Sequence, residues 1–162
     1  MDTSQTLVLV QQLAEALMAR GWRMATAESC TGGLIAAACT ELAGSSVWFD
    51  RGFVTYSNEA KTELLGVDAA LIAEHGAVSE QVARAMAEGA LTRARVDVAV
   101  AVTGIAGPSG GSVDKPVGTV WLAWAQRNGS TRAEVHRFDG DRGQVRAQTC
   151  VLALDGLLSL GN

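Results

Sequence analysis

The chain is short of the residues that most often carry hydrolytic chemistry. It has 162 residues but only two histidines, two lysines, three cysteines, two prolines and one tyrosine. Neither His75 nor His136 has a partner at metal-ligand spacing, so metal-assisted hydrolysis is not expected. No cofactor motif is present either. The glycine-rich stretch from Gly104 to Pro116 lacks the Gly-Lys-Ser/Thr of a phosphate-binding P-loop, and no helix follows it as a dinucleotide fingerprint requires. Cys30, Cys39 and Cys150 are odd in number and far apart. They suit neither a disulfide framework nor a zinc site, which implies a reducing, cytoplasmic setting. No apolar run is long enough to span a bilayer, and the N-terminus lacks the basic segment of a signal peptide, so no membrane partner is expected.

Positive charge is also scarce. Seventeen acidic residues oppose thirteen basic ones, for a net charge of −4 and a pI near 5.1. That balance opposes non-specific nucleic-acid binding, which needs a basic face. Five of the eleven arginines (Arg127, Arg132, Arg137, Arg142 and Arg146) nevertheless share the C-terminal stretch, enough to hold one phosphate group.

What the chain does have is core. Hydrophobic residues make up 48% and charged residues 19%, the balance of a globular chain. The length fits one domain over residues 1–162, burying roughly 70% of its unfolded surface. Leu7, Val10, Leu13, Ala14 and Leu17 recur at helical spacing up to Gly21. A short strand over 23–28 is followed by Ser-Cys-Thr-Gly-Gly and an alanine-rich helix over 34–42. A strand follows over 47–56. Ser57-Asn58 starts a helix that stops at Gly66, a short helix spans 68–74, and Ser79 caps a longer one. The apolar run 96–102 reads as a strand covered on both faces. Strands over 117–125 and 131–138 form a hairpin turned at Asn128-Gly129, and a helix closes the chain from about 141 to 158. The pattern implies an α/β fold, a three-layer α/β/α sandwich around a mixed, mostly parallel sheet of about five strands. In such sheets the loops leaving the carboxyl ends of the strands build the site, here 29–33, 56–61 and 103–111.

Three potential nucleophiles, Ser29, Cys30 and Thr31, stand in a row before Gly32 and Gly33. The free amides of a helix starting there bind an anion or an oxyanion, and the glycines let a ligand approach the backbone. The plainer alternative is that Ser29 or Thr31 only caps the helix. Lys61 falls in the first turn of its own helix, where the dipole field lowers an amine's pKa. A neutral lysine takes a proton from a serine hydroxyl. The alternative is a solvated lysine beside Glu59 and Glu63. A thiolate at Cys30 is a further possibility, though no histidine partners it. The stretch from Thr103 presents many unencumbered amides for a phosphate or polar ligand.

Taken in order, TAESCTGGL (26–34), GFVTYSNEAKTELLGV (52–67), GAVSEQVA (76–83), VTGIAGPSGG with KPVG (102–118) and FDGDRGQVR (138–146) resemble the CinA C-terminal domain family, the bacterial nicotinamide-nucleotide amidases. The resemblance covers nearly the whole chain. It implies metal-free and cofactor-free hydrolysis of a small nucleotide, nicotinamide mononucleotide, to nicotinate mononucleotide and ammonia. By matching position, Ser29 becomes the nucleophile, Lys61 its general base and Tyr56 a proton shuttle or orienting group. Cys30, Thr31, Gly32, Gly33, Thr103, Gly104 and Gly107 become substrate-binding positions, and Arg142 the phosphate partner. Many relatives carry an additional N-terminal domain, for which this chain is expected to have no room. The rival expectation is a non-catalytic nucleotide-binding module, or one linked to competence and DNA damage. The large aromatics Trp48, Phe49, Trp121 and Trp124 suggest a homodimer.

Overall fold

The computed structural model describes residues 3–160 and holds one five-stranded sheet in the order β2-β1-β3-β4-β5. The elements follow as α1 (Thr3–Arg20), β1 (Met24–Glu28), α2 (Leu34–Glu41), β2 (Phe49–Val54), α3 (Asn58–Leu65), α4 (Ala69–His75), α5 (Glu80–Ala94), β3 (Val98–Gly104), β4 (Thr119–Gln126), β5 (Thr131–Arg137) and α6 (Arg142–Leu158). β1 pairs in parallel with β2 and β3, while β3–β4 and β4–β5 are antiparallel. Only β4 therefore runs against the others. The sheet is mixed as expected, with its pairings evenly divided between the two senses.

The two faces of the sheet differ in side-chain size, and that difference assigns the layers. On one face Met24, Val98, Val100, Val102, Val120, Leu122 and Trp124 pack against α1, α2 and α6. On the other, Ala27, Ala99, Ala101, Ala123 and Ala125 face α5, with α3 and α4 behind it. Alternation along β3 and β4 sends large and small residues to opposite sides, with Trp121 the large residue on the alanine face. The alanine face lets α5 lie close, and α5 answers with Ala83, Ala87 and Ala90. On the larger face the Trp124 indole donates to the Ala153 carbonyl at 3.0 Å, and Gly156 lies where a Cβ would overlap the ring.

Helix boundaries follow local chemistry. Ser57, Asp68, Ser79 and Asp141 cap α3, α4, α5 and α6 through their side chains. Asp141 and Gln144 complete a capping box. Gly66 closes α3 at φ +71°. Strand β2 is shorter than expected because Ser45–Val47 forms a 3₁₀ turn that delivers Trp48 into the core. In the β4–β5 connection Asn128 alone is left-handed, so the turn is longer than a two-residue hairpin. Trp48 and Trp124 are buried and Phe49 and Trp121 half-buried within the chain itself. The aromatic excess that suggested a dimer is thus absorbed by the core. No helix among the described residues is long and apolar enough to cross a membrane.

Candidate active site

β1 has β2 on one side and β3 on the other, which makes its carboxyl end the topological switch point of the sheet. Ser29 is the first residue beyond it. Its amide donates to the Val102 carbonyl at 3.1 Å, and the Thr55 amide donates to the Glu28 carbonyl at 2.8 Å. These bonds carry the sheet one step past its strands and hold the Ser29 loop between β2 and β3.

Lys61 reaches the same point from α3. It is 1% exposed, and its Nζ lies 3.1 Å from Ser29 Oγ. Three carbonyls surround the amine, Thr55 at 2.9 Å, Tyr56 at 3.2 Å and Ser57 at 3.4 Å. Burial holds its pKa below the ordinary 10.5, against smaller raising effects of Cys30 and Glu59. The cause is therefore desolvation, and the picture of a solvated lysine is excluded. A neutral amine has two N–H groups and one lone pair. In that form the nearer carbonyls, of Thr55 and Tyr56, can take both protons, which frees the lone pair for the Ser29 hydroxyl.

The other expected residues divide into those at the cavity and those behind it. A cavity of about 270 Å³ is lined by Ser29, Cys30, Lys61, Thr103, Gly104, Gly107 and Arg142, together with Asn58, Ser109 and Gly110. Thr31, Gly32 and Gly33 do not line it. Thr31 turns its hydroxyl inward to Glu28, and Gly32 and Gly33 adopt φ of +57° and +107°. Their requirement is left-handed backbone, not room for a ligand. Gly104 has a steric cause instead, since a Cβ there would meet Val120 Cγ2 at 2.6 Å. The Thr103 hydroxyl donates to the Ala77 carbonyl at 2.9 Å and ties the loop before α5 to the cavity wall.

Tyr56 departs from expectation. It is 58% exposed, and its hydroxyl accepts from Arg142 at 2.9 Å and makes no bond to Ser29 or Lys61, while its carbonyl accepts from Ser29 Oγ at 3.4 Å. The part of Tyr56 that meets the lysine is its carbonyl. Arg142 also donates to the Gly107 carbonyl at 2.9 Å, so it bridges the 56 and 107 walls of the cavity. The other clustered arginines hold carbonyls or rings elsewhere. Arg127 reaches Val96 and Leu91, Arg132 lies over Trp124, and Arg137 reaches Asp114.

The expected oxyanion donors also need correction. The first-turn amides of α2 are already occupied: Ile35 and Ala36 donate to the two oxygens of Glu28, each at 2.9 Å. Leu34 and Ala37 donate to Thr31 and Gly33 carbonyls. Glu28, fully buried, is the helix cap that neither Ser29 nor Thr31 provides. No sequence signal marked it, because its two amide partners lie seven and eight residues away. Cys30 is poorly suited to attack, since burial pushes its thiol up to about 11.

Known proteins agree with this architecture. The model of the CinA C-terminal domain matches residues 7–160. The nicotinamide-nucleotide amidohydrolase PncC of Enterobacter agglomerans is 56% identical over 147 residues, covering 91% of this chain and 90% of the relative. Its namesake in Escherichia coli K12 is 54% identical over 157 residues, covering 97% and 95%. The crystal structure of competence/damage inducible protein CihA from Agrobacterium tumefaciens has a TM-score of 0.95 at 49% identity, covering 98% of this chain and 96% of that one. Sequence and fold thus agree over nearly the whole length, and the chain belongs to the CinA C-terminal domain family.

Proposed function

We propose that the chain is a single amidase domain that hydrolyses nicotinamide mononucleotide to nicotinate mononucleotide and ammonia, with Ser29 as nucleophile and Lys61 as general base. The observation that carries the reading is the buried amine 3.1 Å from a serine hydroxyl at the mouth of the sheet. The names of the relatives over half identical support the substrate. The cavity supports an anionic ligand, because its wall presents Arg142 and no carboxylate.

Neutral Lys61 takes the Ser29 proton as Oγ bonds to the carboxamide carbon. The tetrahedral intermediate collapses when the lysine returns that proton to nitrogen, and ammonia leaves. Water then attacks the acyl-serine, gives its proton to Lys61 and releases the carboxylate; Ser29 recovers its proton. Two carbonyls hold the amine's N–H groups, and the Ser29 hydroxyl turns from the Tyr56 carbonyl to meet its lone pair. Tyr56 serves through its carbonyl and through its hydroxyl bond to Arg142. Arg142 holds the phosphate, and that remote binding orients the carboxamide. Nucleic acid is no part of this proposal. A homodimer is the proposed assembly, through the alanine-rich α2, and sedimentation measures it.

The test is ammonia release from nicotinamide mononucleotide by wild type, Ser29→Ala and Lys61→Ala, each with and without EDTA. Loss in both variants and indifference to chelation are expected. Full activity in either variant refutes the pair.

A further inference from the structure

The chemistry of Ser29 and Lys61 leaves one long-range contact without a task. Arg146, on α6, donates from Nε to the Cys30 carbonyl at 3.0 Å and from Nη2 to the Thr31 carbonyl at 3.1 Å. Those partners lie 116 and 115 residues away in sequence. No carboxylate forms an ion pair with Arg146 among the described residues. A planar, permanently charged fork is therefore spent on two consecutive peptide oxygens of the nucleophile loop.

A trans peptide sets its N–H opposite its C=O. Holding the Cys30 oxygen on α6 turns the Thr31 N–H away from α6. In the same turn, the Ser29 amide is taken by Val102 and the Gly32 amide by the Ser29 carbonyl. The amides of Cys30 and Thr31 have no other acceptor among the described residues, apart from the contact of the Cys30 amide with its own sulfur. Thr31 is pinned from the opposite side as well, by its hydroxyl bond to Glu28 at 2.6 Å. The α2 amides cannot replace this pair, because Glu28 consumes them.

We propose that Arg146 is a positioning residue for acyl transfer at Ser29: by gripping the Cys30 and Thr31 carbonyls it fixes the loop so that the free amide of Cys30, which lines the cavity, stands ready for the oxyanion. The proposal rests on the amidase reading above. An oxyanion donor acts on the transition state and contributes about 10²–10³-fold to kcat. Losing the fork leaves the donor present but loosely aimed, so part of that factor is lost. Arg142, one turn earlier on α6, faces the cavity itself and belongs to ligand binding.

The experiment compares wild type, Arg146→Lys and Arg146→Met in three measurements. These are ammonia release from nicotinamide mononucleotide, calorimetric affinity for the product nicotinate mononucleotide, and the rate at which a fluorophosphonate labels Ser29, read by mass spectrometry. Arg146→Met should lower kcat and the labelling rate about 10–100-fold, with KM and product Kd within about threefold. Arg146→Lys, which keeps the charge and one bond, should recover part of the loss. A merely structural arginine would weaken product binding and lower Tm in step with kcat, and that result overturns the proposal. So does an unchanged kcat in folded Arg146→Met. If Arg146→Met does not fold, Arg146→Lys decides, because unchanged kcat and labelling there are equally fatal. Wild type that neither releases ammonia nor labels at Ser29 defeats the amidase reading instead. Wild type that labels without releasing ammonia defeats only the choice of amide, and the labelling rates still test Arg146.

Discussion

Replacing Glu28 by glutamine tests the reasoning without any assumption about the reaction. The carboxylate is fully buried and accepts four hydrogen bonds, from Thr26 Oγ1 at 3.3 Å, Thr31 Oγ1 at 2.6 Å, and the Ile35 and Ala36 amides at 2.9 Å each. Glutamine can place its oxygen toward Thr31 and Ile35. Its NH2 then meets the Ala36 N–H, donor against donor, while the Thr26 hydroxyl can turn to accept. One partly buried amide is left unsatisfied, at about 1–3 kcal/mol. Removing a negative charge from the start of α2 adds about 0.3–1 kcal/mol. The sum is about 1.3–4 kcal/mol, or a fall in Tm of roughly 3–16 °C for a domain of this size. Urea unfolding followed by tryptophan fluorescence measures it. Glu28→Ala orphans all four donors and should exceed about 4 kcal/mol. A Glu28→Gln variant within 0.5 kcal/mol of wild type, at about the scale of a neutral surface change, would refute the assignment of Glu28 as the cap.

Lys61 makes two predictions with one sign. Its folded pKa lies below 10.5, so between the two values the unfolded chain binds more protons, and stability rises with pH. Relative to Lys61→Met, wild type should gain stability as pH climbs toward 10.5; a pH-independent difference in urea midpoints contradicts desolvation. By the same equilibrium kcat/KM should rise with pH through the lysine's value, and a profile falling over that range removes Lys61 as base. Cys30→Ala should keep ammonia release within about threefold, because burial holds the thiol near 11 and the hydrogen bond of Lys61 Nζ goes to Ser29; loss there with Ser29→Ala active would reverse the nucleophile assignment. Gly156→Ala should cost about 1–3 kcal/mol through overlap with the Trp124 ring, read from denaturant midpoints. A neutral result would show that α6 can shift.

Much of the frame was readable along the chain because its signals are local. A cap such as Ser57 or Asp141 bonds to amides two or three residues on, and Gly66 ends its helix through its own φ. The alternation of valine and alanine in 98–102 likewise states which face of β3 is crowded. The site was legible where a side chain itself is the chemical group, as at Ser29 and Lys61. It was misjudged where the backbone is the group. Tyr56 drew attention for its phenol, yet its carbonyl meets the amine. Gly32 and Gly33 suggested ligand approach, yet their φ values explain them.

The sequence by itself determined the order of helices and strands, the covering of the central strand on both faces and the identities of the hydroxyl and the amine. Tertiary structure alone decided that these two atoms lie 3.1 Å apart, that the amine is buried among carbonyls, and that Glu28 and Arg146 grip the loop between them. The physical reason is that capping and periodicity are short-range and repeat with the chain. Desolvation and the aim of a peptide dipole depend on what packs against them from 32 or 116 residues away.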